Sequence, residues 1–307
     1  LGNVVTHLYL GLNAVLRASG HPKQAMYATI ATVAINTILA PIFIFMFDWG
    51  IRGAAIATVS AQVIALLWQL KQFNNANELL HFRRGIFRLK RKIVFDSLAI
   101  GMSPFLMNLA ACLIVILINQ GLKKYGGDLA IGAFGIVNRL VFIVVMIVMG
   151  LNQGMQPIAG YNFGAKLYDR VNKVLKLTII YATCVTTFGF LVGMLAPNLV
   201  VGIFTSDAEL TELSATGLRI TVMFFPIIGF QMVTSNFFQS IGMAGKAIFL
   251  SLTRQMLILL PCLLILPHFF GVAGVWYSMP VSDLLASLIA LVMLVYQFRK
   301  FKTAAAH

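Results

Sequence analysis

Nine long apolar runs limit this chain to folds that a lipid bilayer can accommodate. The run 129–151 contains two strongly polar side chains, Asn138 and Arg139, and as an α-helix it is long enough to cross a hydrocarbon core of about 30 Å. Because backbone polar groups in lipid must be satisfied internally, such runs form helices. The sequence therefore predicts an all-α, polytopic membrane protein. The predicted spans are residues 3–19, 25–47, 51–70, 97–120, 129–152, 174–196, 214–239, 247–267 and 272–297.

The distribution of charge predicts how these spans are oriented. Alternate connections contain 17 of the 23 lysines and arginines, and positively charged connections stay in the cytoplasm. The C-terminus is therefore expected in the cytoplasm, with the protein in the plasma membrane, which is the inner membrane of a bacterium. In a soluble protein the net charge of +14 would suggest a nucleic-acid partner. Here we attribute it to topology and to contact with membrane lipid, and expect no nucleic-acid partner.

A weak internal repeat predicts the domain organisation. The stretch GIRGAAIATVS at 50–60 resembles GVAGVWYSMPV at 271–281, so that Gly50 and Gly53 align with Gly271 and Gly274. Three further spans precede only the second copy, which makes a complete unit six spans long. We therefore expect residues 1–73 to be the last three helices of an N-terminal lobe, 74–94 a basic cytoplasmic linker, and 95–302 a complete six-helix C-terminal lobe. Since the chain opens Leu-Gly inside an apolar run, we expect that N-terminal helices are missing.

The fifth run ends in an unusual polar segment, NQGMQPIAGYNFGA at 152–165. Its amides are costly in lipid and suit a helix that lines water. Glycines at 150, 154, 160 and 164 recur near helical spacing and predict close approach to a neighbouring helix. The segment resembles the signature at the end of the eighth transmembrane helix of multidrug and toxic compound extrusion (MATE) transporters, and the matching residues are Gln156, Pro157, Gly160, Tyr161, Asn162 and Gly164. The resemblance implies two six-helix lobes, with this chain covering spans four to twelve.

The resemblance also implies a cation site in the N-terminal lobe. One branch of the family carries Asn-x-x-Leu-Asp-Pro in its fifth span and a threonine in its sixth, and Asn36 and Thr58 match these positions. Their neutral oxygens suit sodium. Ala40 stands where the family has Asp, and the first-span Asp would precede Leu1, so we expect this chain to lack a competent site. Without the resemblance, Asn36 is interpreted as a helix-packing amide. The family's other cation site uses carboxylates in two spans, and Cys112 and Ile228 at the matching positions disfavour it.

Asp283 is the one carboxylate of nine that lies near the middle of a span. A charge at that depth is expensive, so Asp283 should face a cavity or a partner. Arg139, at a similar depth, and Arg254, in the next-to-last span, are the candidate partners. Two interpretations stay open, a structural ion pair and a carboxylate that couples transport to protons or cations.

Substrate contacts are predicted from amides at membrane depth, in spans that line the family's central cavity. Methionines and phenylalanines in these spans offer a deformable apolar surface, although such residues are also typical of cores and lipid-facing surfaces. The predicted cavity residues are Asn108, Asn119, Gln120, Asn138, Gln153, Gln156, Gln231 and Asn236.

The function that the resemblance implies is a secondary active multidrug antiporter. It would export small organic, often cationic compounds in exchange for Na⁺ or H⁺ by alternating access, as a monomer. The chain has no Gly-x-x-x-x-Gly-Lys-Ser/Thr loop, so an ion gradient is the expected drive, with no cofactor and no bound metal. The alternatives are a lipid-linked oligosaccharide or polysaccharide flippase of the same superfamily, and an inactive truncated fragment. An enzyme is disfavoured, since neither paired acids, a histidine cluster nor a nucleophile with a base is present.

Overall fold

The computed structural model describes residues 2–74, 81 and 90–305, and every regular element in these ranges is helical. The predicted all-α fold is thereby confirmed. The chain divides into two compact units, Leu1–Arg91 and Lys92–His307. Most of the predicted basic linker, residues 75–80 and 82–89, lies outside the described residues, so the linker remains a prediction.

Three helices form the first unit: α1 (Gly2–Ala18), α2 (Pro22–Pro41) and α3 (Gly50–Phe73). Pro41 lacks a backbone donor, and α2 continues beyond it as a π-helical turn, Ile42–Met46. The buried stripe of α3 recurs every four residues and consists largely of small side chains, among them Ala57, Ala61 and Ala65. Small residues let helix backbones approach closely, which is the packing expected of helices in lipid.

The second unit begins with α4 (Arg91–Gly164), a segment of 74 residues. At Gly127 the backbone adopts φ 68° and ψ −163°, a conformation open almost only to glycine, so α4 is two helical limbs on either side of that residue. Then follow α5 (Tyr168–Leu195), the short α6 (Pro197–Val201), α7 (Ala208–Val222) and α8 (Phe225–Ser240). The last two are bent by 55° relative to each other.

The remaining helices of the second unit are α9 (Ala244–Leu252), α10 (Leu260–Phe270) and α11 (Val272–Ala305). A π-helical segment, Thr253–Leu259, joins α9 to α10 without a break. One core cluster of this unit surrounds Trp276, and a second surrounds Phe237 and Phe238.

The nine predicted spans all correspond to helices in the described part of the chain. Six continuous helices are long and apolar enough to cross a membrane, and the bent pair α7–α8 is a seventh candidate. One of the six is α4, whose two limbs match two predicted spans. The first predicted span corresponds to α1, which has 17 residues. The chain is therefore a multi-pass membrane protein.

The aligned glycines of the internal repeat have equivalent geometry in the two units. Gly50 and Gly271 have φ values of 48° and 58°, each at the turn before a long helix. A Cβ added to Gly53 would lie 2.5 Å from the carbonyl oxygen of Phe43, and one added to Gly274 would overlap the carbonyl oxygen of Leu266. Each copy of the repeat therefore uses a glycine to turn and a second glycine to pack against the preceding helix.

Candidate functional site

The buried carboxylate of Asp283 forms an ion pair with Arg254. Arg254 Nε donates to Asp283 Oδ1 over 2.7 Å. Asp283 is 4% exposed, whereas the side chain of Arg254 is 31% exposed. The prediction of Arg139 as a partner was wrong. Arg139 is exposed, and within the described residues it forms no ion pair with Asp283. Equal depth does not bring two side chains together, because each must also project from the right face of its helix.

The π-helical segment Thr253–Leu259 presents Arg254 to α11. A π-helical turn adds a residue to the helical repeat, so the side chains that follow it change face, and such turns are frequent at functional sites. The ion pair thereby ties this segment to α11 near the middle of both spans.

Asp283 lines a small apolar cavity of about 220 Å³. Aromatic and methionine side chains contribute to its wall, together with valines, isoleucines and a few hydroxyl groups. Six of its lining residues are Phe134, Phe225, Met232, Met279, Arg254 and Asp283. Among all the lining residues, Asp283 is the one carboxylate.

A second, polar cavity of about 390 Å³ also has Arg254 among its lining residues. Five of the eight predicted substrate contacts line it, namely Asn108, Gln153, Gln156, Gln231 and Asn236. Asn138 lines the apolar cavity instead. Asn119 and Gln120 line neither cavity, although Ile118 beside them lines the apolar one, because successive side chains of a helix project from different faces.

Polar groups from four segments meet at the polar cavity. Gln156 Nε2 donates to Asn236 Oδ1 over 3.4 Å, which joins α4 to α8. The hydroxyl groups of Ser235 and Ser251 lie 2.9 Å apart and join α8 to α9. Asn152 is 2% exposed and lines the cavity, yet neither of its amide atoms has a hydrogen-bond partner in the described part of the chain.

Sequence reasoning missed part of the polar cavity. Asn152 opens the signature segment, whose amides were expected to line water, but it was not among the predicted substrate contacts. The serines carried no signal, because hydroxyl groups in membrane helices commonly bond to their own helix. The missed lining residues are Asn152, Ser235, Gln239, Ser251 and Gln255, whereas Arg254 was predicted only as a partner of Asp283.

The signature segment both lines the cavity and ends α4. A Cβ on Gly160 would lie 2.9 Å from the carbonyl oxygen of Ser240, so the predicted close approach of helices is present at this residue. Within the described ranges it is absent at Gly150, Gly154 and Gly164, since a Cβ there would meet nothing within 4 Å. The close-approach prediction for these three glycines was wrong, because their spacing did not reveal which of them faces a neighbour.

The other signature residues have local roles in the structure. The helix continues through Pro157, and Tyr161 is 78% exposed. Asn162 Nδ2 donates to the carbonyl oxygen of Ile158 over 2.8 Å. The carbonyl oxygen of Asn162 in turn accepts from the backbone N–H of Leu167 and helps to end the helix at Gly164.

In the first unit, Asn36 and Thr58 are in direct contact. Asn36 Nδ2 donates to Thr58 Oγ1 over 2.8 Å, and Thr58 donates to the carbonyl oxygen of Ala54 over 3.0 Å. The two matched positions are thus neighbours on α2 and α3, with Ala40 one turn beyond Asn36. No group of three or more histidine, cysteine or acidic side chains that could hold a metal occurs among the described residues.

Comparison with known proteins identifies the family. Residues 100–264, more than half of the chain, match the family model named MatE. The chain belongs to the MatE family. Multidrug export protein MepA of Staphylococcus aureus (strain MSSA476) is 29% identical over 296 residues, which are 95% of this chain and 64% of MepA. The protein of the same name from Staphylococcus haemolyticus (strain JCSC1435) is 28% identical over the same shares. The chain therefore spans just under two thirds of the length of these relatives.

Solved structures agree with this MatE assignment. The MATE multidrug transporter DinF-BH is 34% identical, with a TM-score of 0.87 over 98% of this chain and 67% of its own. A MOP superfamily transporter from Pyrococcus furiosus has a TM-score of 0.91 at 22% identity, over 98% and 68% of the two chains, and supports the fold alone. These relatives are transporters rather than enzymes, in agreement with the expectation from the sequence.

Proposed function

We propose that this protein is a secondary active multidrug exporter that exchanges small organic compounds, many of them cations, for Na⁺ or H⁺. The observation that carries the proposal is the polar cavity beside the Arg254–Asp283 pair, at mid-span in a chain of the MatE family. Substrate and ion sites of secondary transporters lie near the bilayer midplane, where helices are interrupted. The π-helical segment that carries Arg254 is an interruption of this kind.

Relatives support the exporter function without defining its substrates here. MepA is a multidrug export protein, and DinF-BH is a multidrug transporter. Because this chain spans 64% of MepA, the activity of the whole protein is a proposal. The amides of the polar cavity can exchange hydrogen-bond partners among chemically different substrates, which suits a polyspecific site.

We further propose that Asp283 is the coupling carboxylate, and that Asn36 and Thr58 contribute two oxygens to a cation site. Asp283 is buried and has one cationic partner, so that a proton or Na⁺ could replace that partner. The Asn36–Thr58 pair supplies only neutral oxygens, which hold sodium weakly by themselves. The C-terminus in the cytoplasm, the bacterial inner membrane and the monomeric state complete the proposal, on the basis of the charge distribution and the family.

Transport by cells tests the exporter function. Drug-sensitive bacteria are made to express the chain together with any residues that its gene encodes before Leu1. They should accumulate less ethidium than cells with an empty vector, and a protonophore or replacement of sodium by choline should abolish the difference. Equal accumulation in both strains, with the protein present in the membrane, would contradict export.

Coupling is tested separately with Asp283→Asn, which should remove most of the gradient-driven export. The matched control is Glu212→Gln, an exposed residue of α7 that loses the same charge without contact with either cavity. Export by Asp283→Asn at the wild-type rate under both gradients would exclude Asp283 as the coupling group.

A further inference from the structure

We propose that the apolar cavity beside Asp283 is a binding site for lipophilic organic cations, and that the guanidinium of Arg254 occupies the ligand's place in this structure. The inference deepens the proposed exporter function and rests on it for its biological meaning. Its test, however, is equilibrium binding and does not depend on transport.

The chemistry of the apolar cavity suits a cation with an apolar body. Phe134 and Phe225 present aromatic rings, and Met232 and Met279 present polarisable thioethers. Aromatic faces attract cations, and methionines adapt to irregular ligands. Asp283 is the one lining group that can neutralise a positive charge, and a carboxylate buried in such surroundings is stabilised in its ionised form by a cationic partner.

Arg254 supplies that partner through a single contact. Its Nε–H bonds to Asp283 Oδ1, and the other four N–H groups of the guanidinium have no hydrogen bond among the described residues. A bidentate arginine–carboxylate pair would hold both oxygens with two parallel bonds. Asp283 Oδ2 therefore retains the capacity to meet a second cation, and a competitor has to replace one hydrogen bond rather than two.

The polar cavity can accept the guanidinium of Arg254 when it leaves Asp283. Arg254 lines this cavity as well as the apolar one. The oxygens Asn152 Oδ1 and Gln255 Oε1 also belong to residues of the polar cavity, and both are buried with no hydrogen-bond partner among the residues that the structure describes. Unpaired buried acceptors are costly, so donors from a displaced guanidinium would be stabilising there.

Movement of Arg254 would also enlarge the binding space. Arg254 and Met232 line both cavities and so form part of the wall between them. The apolar cavity alone, at about 220 Å³, is smaller than a typical site for a drug-sized ligand. Joined to the polar cavity by the withdrawal of Arg254, it would accept a bulkier cation whose charge lies at Asp283.

Binding of tetraphenylphosphonium to the purified chain in detergent micelles tests the site. Arg254→Gln removes the resident competitor and should raise the affinity by about tenfold, because ligand no longer binds only the fraction of molecules in which Arg254 has moved. Asp283→Asn removes the counter-charge and should lower the affinity by about tenfold or more. Triphenylphosphine oxide, a neutral probe with a similar aromatic body, needs the same space and should also bind Arg254→Gln more tightly, but it should bind Asp283→Asn no more weakly than wild-type protein.

Two further variants control for charge and for folding. Arg219→Gln removes the same charge from an exposed residue of α7 and should leave tetraphenylphosphonium affinity unchanged. Because Arg254→Gln leaves a buried carboxylate unpaired, the neutral double variant Arg254→Gln with Asp283→Asn keeps the comparison valid if the single variant unfolds. This double variant should fold and lose the preference for the cation over the neutral probe.

Two outcomes would overturn the proposal. Affinity of Asp283→Asn for tetraphenylphosphonium within about twofold of wild type would show that the carboxylate is not the binding group. Weaker binding by a folded Arg254→Gln variant would show that Arg254 supports the ligand rather than competes with it. If the variants bind as expected but cells do not export, the binding site stands and the exporter function is refuted. If cells export but binding does not depend on Asp283, the exporter function stands and the binding site is refuted.

Discussion

Arg254 Nε and Asp283 Oδ1, 2.7 Å apart, connect a π-helical segment to the middle of α11. The carboxylate is almost completely buried, while about a third of the arginine side chain remains exposed at the polar cavity. Asp283 is therefore fixed in the core, whereas Arg254 can exchange its hydrogen-bond partner.

The pair predicts a non-additive effect on stability. Arg254→Met alone should lower the free energy of unfolding by about 3 kcal/mol, because it leaves the Asp283 carboxylate buried without its partner. Asp283→Leu alone should lower it less, because the Arg254 side chain is 31% exposed and keeps contact with water. The two changes together should cost about 1 kcal/mol or less, since both charges are then absent. Denaturant unfolding in detergent micelles measures all three. A double variant as unstable as the sum of the single variants would contradict the coupling.

The close packing of Gly160 predicts that alanine is less well tolerated there than at Gly154 on the same helix. Gly160→Ala should destabilise by about 1–3 kcal/mol, because its Cβ would press on the carbonyl oxygen of Ser240 in α8. Gly154→Ala is the control on the same helix. Its Cβ would meet open space, and alanine is the better helix former by about 1 kcal/mol. Thermal unfolding of both variants should therefore shift in opposite directions.

The repeat predicts that equivalent glycines are equally intolerant. Gly53→Ala and Gly274→Ala should each lower the midpoint of thermal unfolding, since the new methyl group meets the backbone of the preceding helix, which cannot rotate away. Gly11→Ala and Gly245→Ala are matched controls in the same two units, because a Cβ at either position contacts nothing within 4 Å. Tolerance of alanine at one repeat position but not at the other would argue against equivalent geometry.

A carboxylate at position 40 should allow the first unit to bind sodium. Ala40→Asp places a carboxylate four residues after Asn36, on the same face of α2 and near Thr58. Two neutral oxygens with a carboxylate are a better ligand set for a hard cation than the neutral oxygens alone. The variant should gain a sodium-dependent rise in its unfolding temperature. Thr37→Asp, on another face of the helix, should not, and an equal rise in both variants would indicate a general salt effect.

Several parts of the site could not be predicted from the sequence, because the sequence does not show how each helix is rotated about its own axis. Helical spacing indicates which residues share a face, but not which neighbour that face meets. Arg139 was a candidate partner of Asp283 by depth, and Asn119 and Gln120 were candidate cavity residues by composition. Each lies at a suitable depth, yet none faces the site.

The sequence by itself determined the helical class, the nine apolar segments that form helices, and the family, because hydrocarbon thickness and backbone hydrogen bonding leave few alternatives. It also predicted a break between the runs 97–120 and 129–152, the interval in which Gly127 interrupts the helix. Only the tertiary structure decided that Arg254 rather than Arg139 meets Asp283, that Gly160 alone of the four signature-region glycines supports close packing, and that Asn152 lines the polar cavity. These outcomes depend on the rotation of each helix about its axis, which π-helical turns and helix bends set and which a hydrophobicity pattern does not record.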